Sequence, residues 1–284
     1  MDKIDIVKII NIDSNKITNI EQLTSLEDGS FYEVWKLVIN NQDYILKKAK
    51  NREIEIYNTF FKEFSIAVPK IYNTYEFNDE KYILMEYVEG YELFKCTKED
   101  LIKTIDALIN IQSHYWDTNI DCGYSFNESL KSRINRGKHL NDSDLEKHYK
   151  IFLDIYSNIP KTLCHDDLLP FNVMIRNNKA IIIDWEHAGI LPYLTSFARL
   201  IAHGGENDEF FYIKECDKEF IITYYYDNFV KDKKISYNDY LYQLKYFLLY
   251  EYCEWIMLKN KYPDGDDNRY KLYYNKAKKL INLL

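Results

Sequence analysis

The densest group of reactive side chains surrounds a predicted hairpin in the second half of the chain. These residues follow the order H-x-D-x-x-x-x-N, then two apolar runs, then D-W-E: His165, Asp167, Asn172, Asp184 and Glu186. A hairpin from Phe171 to Ile183 would bring Asn172 and Asp184 together at its open end. Two oxygen ligands beside a free carboxylate are what a protein usually contributes to a magnesium–nucleotide site, because Mg²⁺ prefers oxygen and keeps several waters. An isolated Asp at a strand end is more often a turn or cap residue, but the combined pattern is far more restrictive.

The elements that must position this group fall into two parts. The first part, up to about residue 89, has β-branched and aromatic runs that predict antiparallel strands. Their turns are expected at three polar pairs: Asp28-Gly29, Asn40-Asn41 and Asn78-Asp79. One helix is predicted from apolar residues at a helical period: Ile54, Tyr57, Phe60, Phe61 and Phe64.

From Tyr91 onward the sequence predicts mainly helices. Three helix starts have a capping-box-like pattern: Thr97 with Asp100, Ser143 with Glu146, and Ser236 with Asp239. The embedded hairpin turns at Asn177-Asn178. The expected fold class is α+β, with a small β-rich lobe of residues 1–89 and a larger, mostly helical lobe of residues 90–284.

The composition excludes several classes of protein. The chain has 284 residues, with 37 Lys and Arg against 45 Asp and Glu, and a formal net charge of −8. This acidic balance argues against nucleic-acid binding, which needs a dense basic face, and favours cationic small molecules if the active cleft has the same sign. The 5 cysteines form no C-x-x-C pair, which argues against a disulfide scaffold or a zinc ribbon. Without a signal-peptide-like or membrane-spanning stretch, we expect a cytoplasmic protein that does not bind membranes.

On the residues around the hairpin, the sequence resembles the aminoglycoside phosphotransferase and choline kinase superfamily, whose fold is similar to that of protein kinases. The resemblance extends from about residue 20 to 205. It implies that Asp167 is the catalytic carboxylate and that His165 braces its loop. It also implies that Asn172 and Asp184 bind Mg²⁺, with Glu186 as a possible helper, and that ATP or GTP is the cosubstrate.

The resemblance also implies a phosphate contact in the first part of the chain. Lys47 resembles the strand lysine that contacts the nucleotide phosphates, and Glu53 resembles the acid that pairs with this lysine. Lys48 is the competing candidate. Because side chains alternate along a strand, only one of the two lysines can point inward, and the register of the family favours Lys47.

Two further segments correspond to nucleotide contacts in the family. Gly29 and Ser30 lie where a hairpin turn covers the nucleotide, although the segment has neither G-x-G-x-x-G nor a P-loop pattern. Glu86 and Val88 lie where adenine would form hydrogen bonds to the backbone. Both segments are assigned by their position along the chain alone.

The acceptor could belong to either of two cationic classes. Six acids could hold a polyamine such as an aminoglycoside: Glu206, Asp208, Glu209, Asp264, Asp266 and Asp267. Four aromatic residues could instead form part of a box for a quaternary ammonium: Trp116, Tyr250, Tyr252 and Trp255. Such acids are usually solvated, and such aromatic residues usually lie in a core.

We predict an enzyme that transfers phosphate from ATP or GTP to a hydroxyl of a small cationic molecule, similar to aminoglycoside phosphotransferases. The alternatives are a choline or ethanolamine kinase-like enzyme and a degenerate kinase fold that serves as a binding or coat protein.

The sequence departs from the family pattern at two places. Asp166 stands where the family often has Gly or Asn, and Ser196-Phe197-Ala198 replaces an Asp-Leu-Ala-like step. Protein-kinase activity is not expected. The chain has no D-F-G, no A-P-E and no long activation segment after Asp184.

Overall fold

A computed structural model describes residues 3–25, 29–50, 52–62, 67–203, 212–264 and 266–284. Five residues named above lie outside these ranges: Asp28, Phe64, Glu206, Asp208 and Glu209.

The N-terminal part of the chain is an antiparallel sheet with the strand order β1-β2-β3-β5-β4. Its strands are β1 Ile17–Thr24, β2 Phe31–Ile39, β3 Gln42–Lys48, β4 Ile71–Phe77 and β5 Glu80–Glu86. The predicted turns at Asn40-Asn41 and Asn78-Asp79 are confirmed, and all four residues have positive φ. Asn and Asp accept this conformation more readily than other non-Gly residues, and a tight hairpin turn of this kind needs it at both central positions.

Two features of this part differ from the sequence prediction. The expected helix begins as α2 (Glu53–Ile56) and continues as a π-helical turn over Tyr57–Phe61, whose Phe61 ring lies 4.6 Å from that of Trp185. An unpredicted helix, α1 (Lys3–Ile10), buries three isoleucines against the sheet. Its eight residues are too few for an isolated helix to be stable, so tertiary packing maintains it.

The C-terminal part is mainly helical, as predicted. Its helices are α3 Lys98–His114, α4 Phe126–Gly137, α5 Ser143–Asn158, α6 Leu194–Ala202, α7 Glu215–Tyr225, α8 Tyr237–Lys261 and α9 Asp267–Ile281. Together with the α2 segment they share the larger of the two apolar cores that the described residues form. Within the described ranges, no helix is both long and apolar enough to cross a bilayer.

The helix starts test the capping predictions directly. The side chains of Thr97 and Ser236 accept hydrogen bonds from the backbone of the third helical residue, as predicted. The prediction for Ser143 is wrong, because Asp142 caps α5 instead. A full capping box, which the sequence analysis missed, joins Ser125 and Glu128 at the start of α4.

Short strands in the C-terminal part position the reactive residues. Strand β7 (Lys161–Cys164) pairs with β10 (Gly189–Pro192). Strands β8 (Val173–Arg176) and β9 (Lys179–Ile182) form the predicted hairpin, and β6 (Tyr91–Glu92) pairs with β8. The turn residues Asn177 and Asn178 both have positive φ. The reactive segments therefore follow directly after β7 and β9 and precede β8.

Candidate active site

His165 holds together the two segments that carry the reactive residues. It follows β7, and its Nε2 donates to the carbonyl oxygen of Ile183 at 2.7 Å. Its Nδ1 accepts from the backbone N–H of Asp167 at 3.3 Å. A carbonyl only accepts and an N–H only donates, so these partners define the tautomer. Burial lowers the pKa of His165 and keeps the ring neutral. The ring thus positions the loop of Asp167 against the residue before Asp184.

The adjoining carboxylates Asp166 and Asp167 face different partners. Asp166 has a φ of 60°, which explains why Gly or Asn suits this position. Its carboxylate pairs with Arg133 at 2.6 Å, and the two side chains are only 14% and 4% exposed. Asp167 is 35% exposed and borders the cleft. Asp166 is therefore a structural ion-pair partner, and Asp167 is the accessible carboxylate.

The hairpin brings Asn172 and Asp184 to the same end, as predicted. The backbone N–H of Ile183 donates to the carbonyl of Asn172 at 2.9 Å. The side-chain nitrogen of Asn172 donates to the backbone oxygen of Asp167 at 2.8 Å, which leaves its amide oxygen for another ligand. Asp184 follows β9 with a φ of 63°. One amide oxygen and one carboxylate therefore lie beside the loop of Asp167.

Lys47 points inward from β3 and meets two carboxylates. Its Nζ lies 2.9 Å from Oε1 of Glu53 and 2.5 Å from Oδ1 of Asp184. Burial alone would lower the pKa of Lys47, but Asp184 and Glu53 outweigh that effect and raise it. Lys48 faces the opposite way and pairs with Glu33 and Glu80 at the surface. The choice of Lys47 over Lys48 as the inward lysine is correct.

The acids around Lys47 fit a divalent cation. One carboxylate oxygen from each of Glu53, Asp184 and Glu186 lies within 4.8 Å of the others. Oε2 of Glu53 and Oε2 of Glu186 are buried and have no hydrogen-bond partner among the described residues, although the Lys50 ammonium lies 3.9 Å from Oε2 of Glu186. Buried carboxylate oxygens need a donor or a cation, and a set of carboxylates with one amide oxygen suits Mg²⁺. Sequence analysis paired Glu53 with Lys47 but did not place it among the metal ligands.

The segments assigned to the nucleotide are only partly free to bind it. The N–H of Glu86 already donates to the backbone oxygen of Lys70 at 2.8 Å, and its carboxylate pairs with Arg176. Val88 is buried, and within the described residues its backbone groups have no hydrogen-bond partner. Gly29, with a φ of 71°, lies with Ser30 in the turn between β1 and β2, where a Cβ on Gly29 would contact nothing. Val88 is therefore the better placed of the two residues to bind a base through its backbone.

A cleft of about 780 Å³ opens beside Asp167. Among the described residues that line it are six acids and four arginines: Glu128, Asp166, Asp167, Glu186, Glu251, Glu254, Arg52, Arg133, Arg136 and Arg199. Each arginine pairs with at least one of these acids. Sequence analysis missed the arginines and the two α8 acids as cleft residues. The one available signal was that Glu251 and Glu254 interrupt the most apolar run of the chain.

The two residue sets considered for the acceptor do not converge on the cleft. Asp266 caps α9, and Asp267 pairs with Lys259 at 2.6 Å. The Trp255 ring stacks on Tyr273, at 5.6 Å between centroids. Trp116 packs against Tyr193 and Phe229, and Tyr252 against Tyr273. Of these two sets, within the described ranges, only Tyr250 lines the cleft.

Comparison with known proteins identifies the family. The profile described as the phosphotransferase enzyme family matches residues 23–220. The chain belongs to this family. It is a small-molecule phosphotransferase with a two-lobed, protein-kinase-like α+β fold, as the sequence predicted.

Individual relatives of this phosphotransferase carry different names. The LicA homolog of Mycoplasma capricolum subsp. capricolum is 27% identical over 223 residues, which cover 74% of this chain and 83% of the relative. A choline/ethanolamine kinase family protein from Mesorhizobium loti has a TM-score of 0.65 at 15% identity, covering 97% of this chain and 92% of that one. An aminoglycoside phosphotransferase in a ternary complex with ADP and hygromycin B has a TM-score of 0.65 at 11% identity, covering 99% and 98%. The two structural likenesses concern the fold.

Proposed function

We propose that this phosphotransferase moves the γ-phosphoryl group of ATP or GTP to a hydroxyl of a small cationic molecule, with Mg²⁺ as its metal. The observation that carries this proposal is the half-buried but accessible carboxylate of Asp167 at the edge of a cleft where acids outnumber arginines. A cleft with excess negative charge attracts cations. The nucleotide and metal sites, which are proposals like the acceptor, centre on Lys47 and Asp184, and Glu186 belongs both to the metal set and to the cleft lining.

The residues of this chain have separable tasks in the proposed reaction. Asp167 accepts the proton of the acceptor hydroxyl while the acceptor oxygen bonds to the γ-phosphorus and the bridging oxygen leaves with the nucleoside diphosphate. Lys47 neutralises the non-transferred phosphates, and Glu53 orients Lys47. Val88 binds the base through its backbone, and the turn at Gly29 and Ser30 covers the phosphates.

Four residues would hold the metal: Asn172, Asp184, Glu186 and Glu53. When bound there, Mg²⁺ supplies charge compensation for the phosphates. Asp184 has a carboxylate suited to this task because Lys47 offsets the effect of burial and lowers its pKa. The carboxyl group is therefore ionised and ready to bind a cation.

The acceptor is proposed to be an aminoglycoside-like polyamine, with a single ammonium compound such as choline or ethanolamine as the alternative. The acidic groups in the cleft support a cation of either kind. Phe152 stacks on the Tyr250 ring and the Arg133 guanidinium lies over it, so a quaternary ammonium could use this ring only in place of Arg133. Salt separates the two cases. An acceptor held by the cleft carboxylates should bind more weakly as ionic strength rises, whereas one held by an aromatic face should respond less.

A coupled assay of nucleoside diphosphate release tests the proposal. The acceptor panel contains aminoglycosides, choline, ethanolamine and a neutral sugar, each with Mg·ATP and Mg·GTP. Asp167→Asn is the matched inactive control, since its shape is unchanged. Release that requires a cationic acceptor and disappears in Asp167→Asn supports the proposal. Activity with the neutral sugar alone contradicts a cationic acceptor, and nucleotide binding without any turnover would favour a binding protein.

A further inference from the structure

Arg199 of α6 joins the loop of Asp167 to helix α8. Its Nε and Nη2 donate to Oδ1 of Asp167 at 3.2 and 2.9 Å. Its Nη1 donates to Oε2 of Glu251 at 2.9 Å and to Oε2 of Glu254 at 2.7 Å. The Arg199 side chain is only 18% exposed. One guanidinium therefore links the reactive carboxylate to two acids that line the same cleft.

The contact with Asp167 is one-sided. Both hydrogen bonds end on Oδ1, and Oδ2 has no hydrogen-bond partner among the described residues. The Nε–H and Nη2–H groups of a planar guanidinium point the same way, so both converge on Oδ1 and fix the position of that oxygen more closely than a lysine ammonium can. Oδ1 of Asp167 is thus bound to Arg199, and Oδ2 is available to a ligand in the cleft.

The α8 acids in turn fix Arg199. Glu251 and Glu254 are one helical turn apart, so both face α6. Their side chains are largely buried. Glu254 also receives hydrogen bonds from Arg136 and from the hydroxyl of Tyr250. Arg136 of α4 pairs with the same helix α8 and, within the part of the chain that the structure describes, does not contact Asp167.

We propose that Arg199 is a positioning residue for the transfer reaction. It holds the Asp167 carboxylate with Oδ2 toward the acceptor hydroxyl, and Glu251 affects turnover by holding Arg199. This inference rests on the proposed function, since it needs Asp167 to receive the hydroxyl proton. The acidic wall of the cleft then has two tasks, attracting the acceptor and orienting the group that accepts its proton.

The test compares Arg199→Ala, Arg199→Lys and Arg136→Ala with the parent enzyme. Misplacing a reacting group by about 1 Å can lower the rate about a hundredfold, so we expect kcat of Arg199→Ala to fall by about that factor. KM for the nucleotide should change only a few-fold, because Arg199 contacts none of the described residues that are proposed to bind the nucleotide. Arg136→Ala removes an arginine of α4 that pairs with the same helix α8, and its loss in kcat should be at least about tenfold smaller.

Two further measurements separate positioning from general loss of structure. Guanidinium chloride, far below the molar concentrations that unfold proteins, should restore part of the kcat of Arg199→Ala and none of any loss in Arg136→Ala, with NaCl at matched ionic strength as the control. In a double-mutant cycle, Glu251→Gln should lower kcat in the parent and have little further effect in the Arg199→Ala background.

The outcomes distinguish this inference from the proposed function. A parent enzyme without turnover on any acceptor contradicts the proposed function and the inference together. An active parent with equal kcat losses in Arg199→Ala and Arg136→Ala, or without rescue by guanidinium, contradicts the inference alone. If circular dichroism shows that Arg199→Ala is unfolded, Arg199→Lys decides, because it retains the charge but loses the paired N–H donors. An unchanged kcat in that variant would then overturn the inference.

Discussion

The same Asp→Asn substitution should mainly lower the stability of the protein at Asp166 and mainly lower its turnover at Asp167. Asp166→Asn removes the charge that compensates Arg133 in a largely buried pair. Removing one partner of a buried ion pair costs about 3–5 kcal/mol. Asn can still accept a hydrogen bond, and the Arg133 guanidinium also lies over the rings of Tyr156 and Tyr250, at 4.6 and 4.8 Å. These remaining contacts place the expected loss of stability near the lower limit, at about 3 kcal/mol.

Asp167→Asn should instead affect turnover. The Asp167 side chain is 35% exposed, so its pair with Arg199 is screened, and we expect the free energy of unfolding to change by less than about 1 kcal/mol. Arg199 keeps two other carboxylates as partners. Loss of the proton acceptor should lower kcat by about a hundredfold or more, while nucleotide affinity stays within a few-fold.

Thermal melting and steady-state kinetics on the two variants provide the assay. At about 2 °C per kcal/mol for a chain of this size, Asp166→Asn should melt about 6 °C below the parent. Its kcat should fall much less than that of Asp167→Asn. If Asp166→Asn abolishes turnover without lowering Tm, while Asp167→Asn remains active, the assignment of the two carboxylates is reversed and the reasoning fails.

Three further predictions concern the metal, pH and chain packing. Asp184→Ala should abolish Mg²⁺-dependent nucleotide binding, because it removes the ionised carboxylate of the proposed metal site; calorimetry with unchanged Mg·ATP affinity would exclude Asp184 from that site. Burial lowers the pKa of both His165 and His203, so at these two rings the unfolded chain binds more protons than the native one. At His187 the hydrogen bond with Glu186 raises the pKa and offsets part of this effect. Stability should therefore fall as pH drops through the ordinary imidazole pKa of about 6.5, by up to about 1.4 kcal/mol per pH unit for each ring. Urea unfolding at pH 7.5 and at a pH roughly one unit below that imidazole pKa measures the change in the free energy of unfolding. Greater stability at the lower pH would contradict the prediction. Gly90→Ala should lower Tm in a thermal melt, because a Cβ there would lie 2.3 Å from the backbone oxygen of Ile175; an unchanged Tm would mean that the backbone shifts freely.

Local sequence was sufficient for the turns and for the order of the reactive residues. Asn-Asn and Asn-Asp pairs accept positive φ, so three hairpins could be located from the residues alone. Alternation along β3 limited the inward position to one of two lysines, and the structure agrees with the choice of Lys47. The same reasoning failed for Ser143, because Asp142, one residue earlier, caps that helix.

Other features could not be predicted because they depend on contacts between distant segments. The helix after β3 changes to a π-helical turn where its aromatic residues pack against the C-terminal part. The acids proposed for the acceptor near residue 266 are used in a helix cap and a surface ion pair. Whether an acid is available to a ligand depends on which cation the folded chain places next to it, and spacing along the sequence does not contain that information.

The sequence by itself therefore determined the α+β class, the family resemblance and the grouping of polar residues from His165 to Glu186, because each depends on spacing within a short segment. Only the tertiary structure decided that Asp166 is bound by Arg133 and that Asp167 faces the cleft. It also decided that Arg199, 32 residues further along, joins Asp167 to α8. Charged side chains on separate helices meet only after the apolar faces of those helices have packed, so their pairing is a property of the fold.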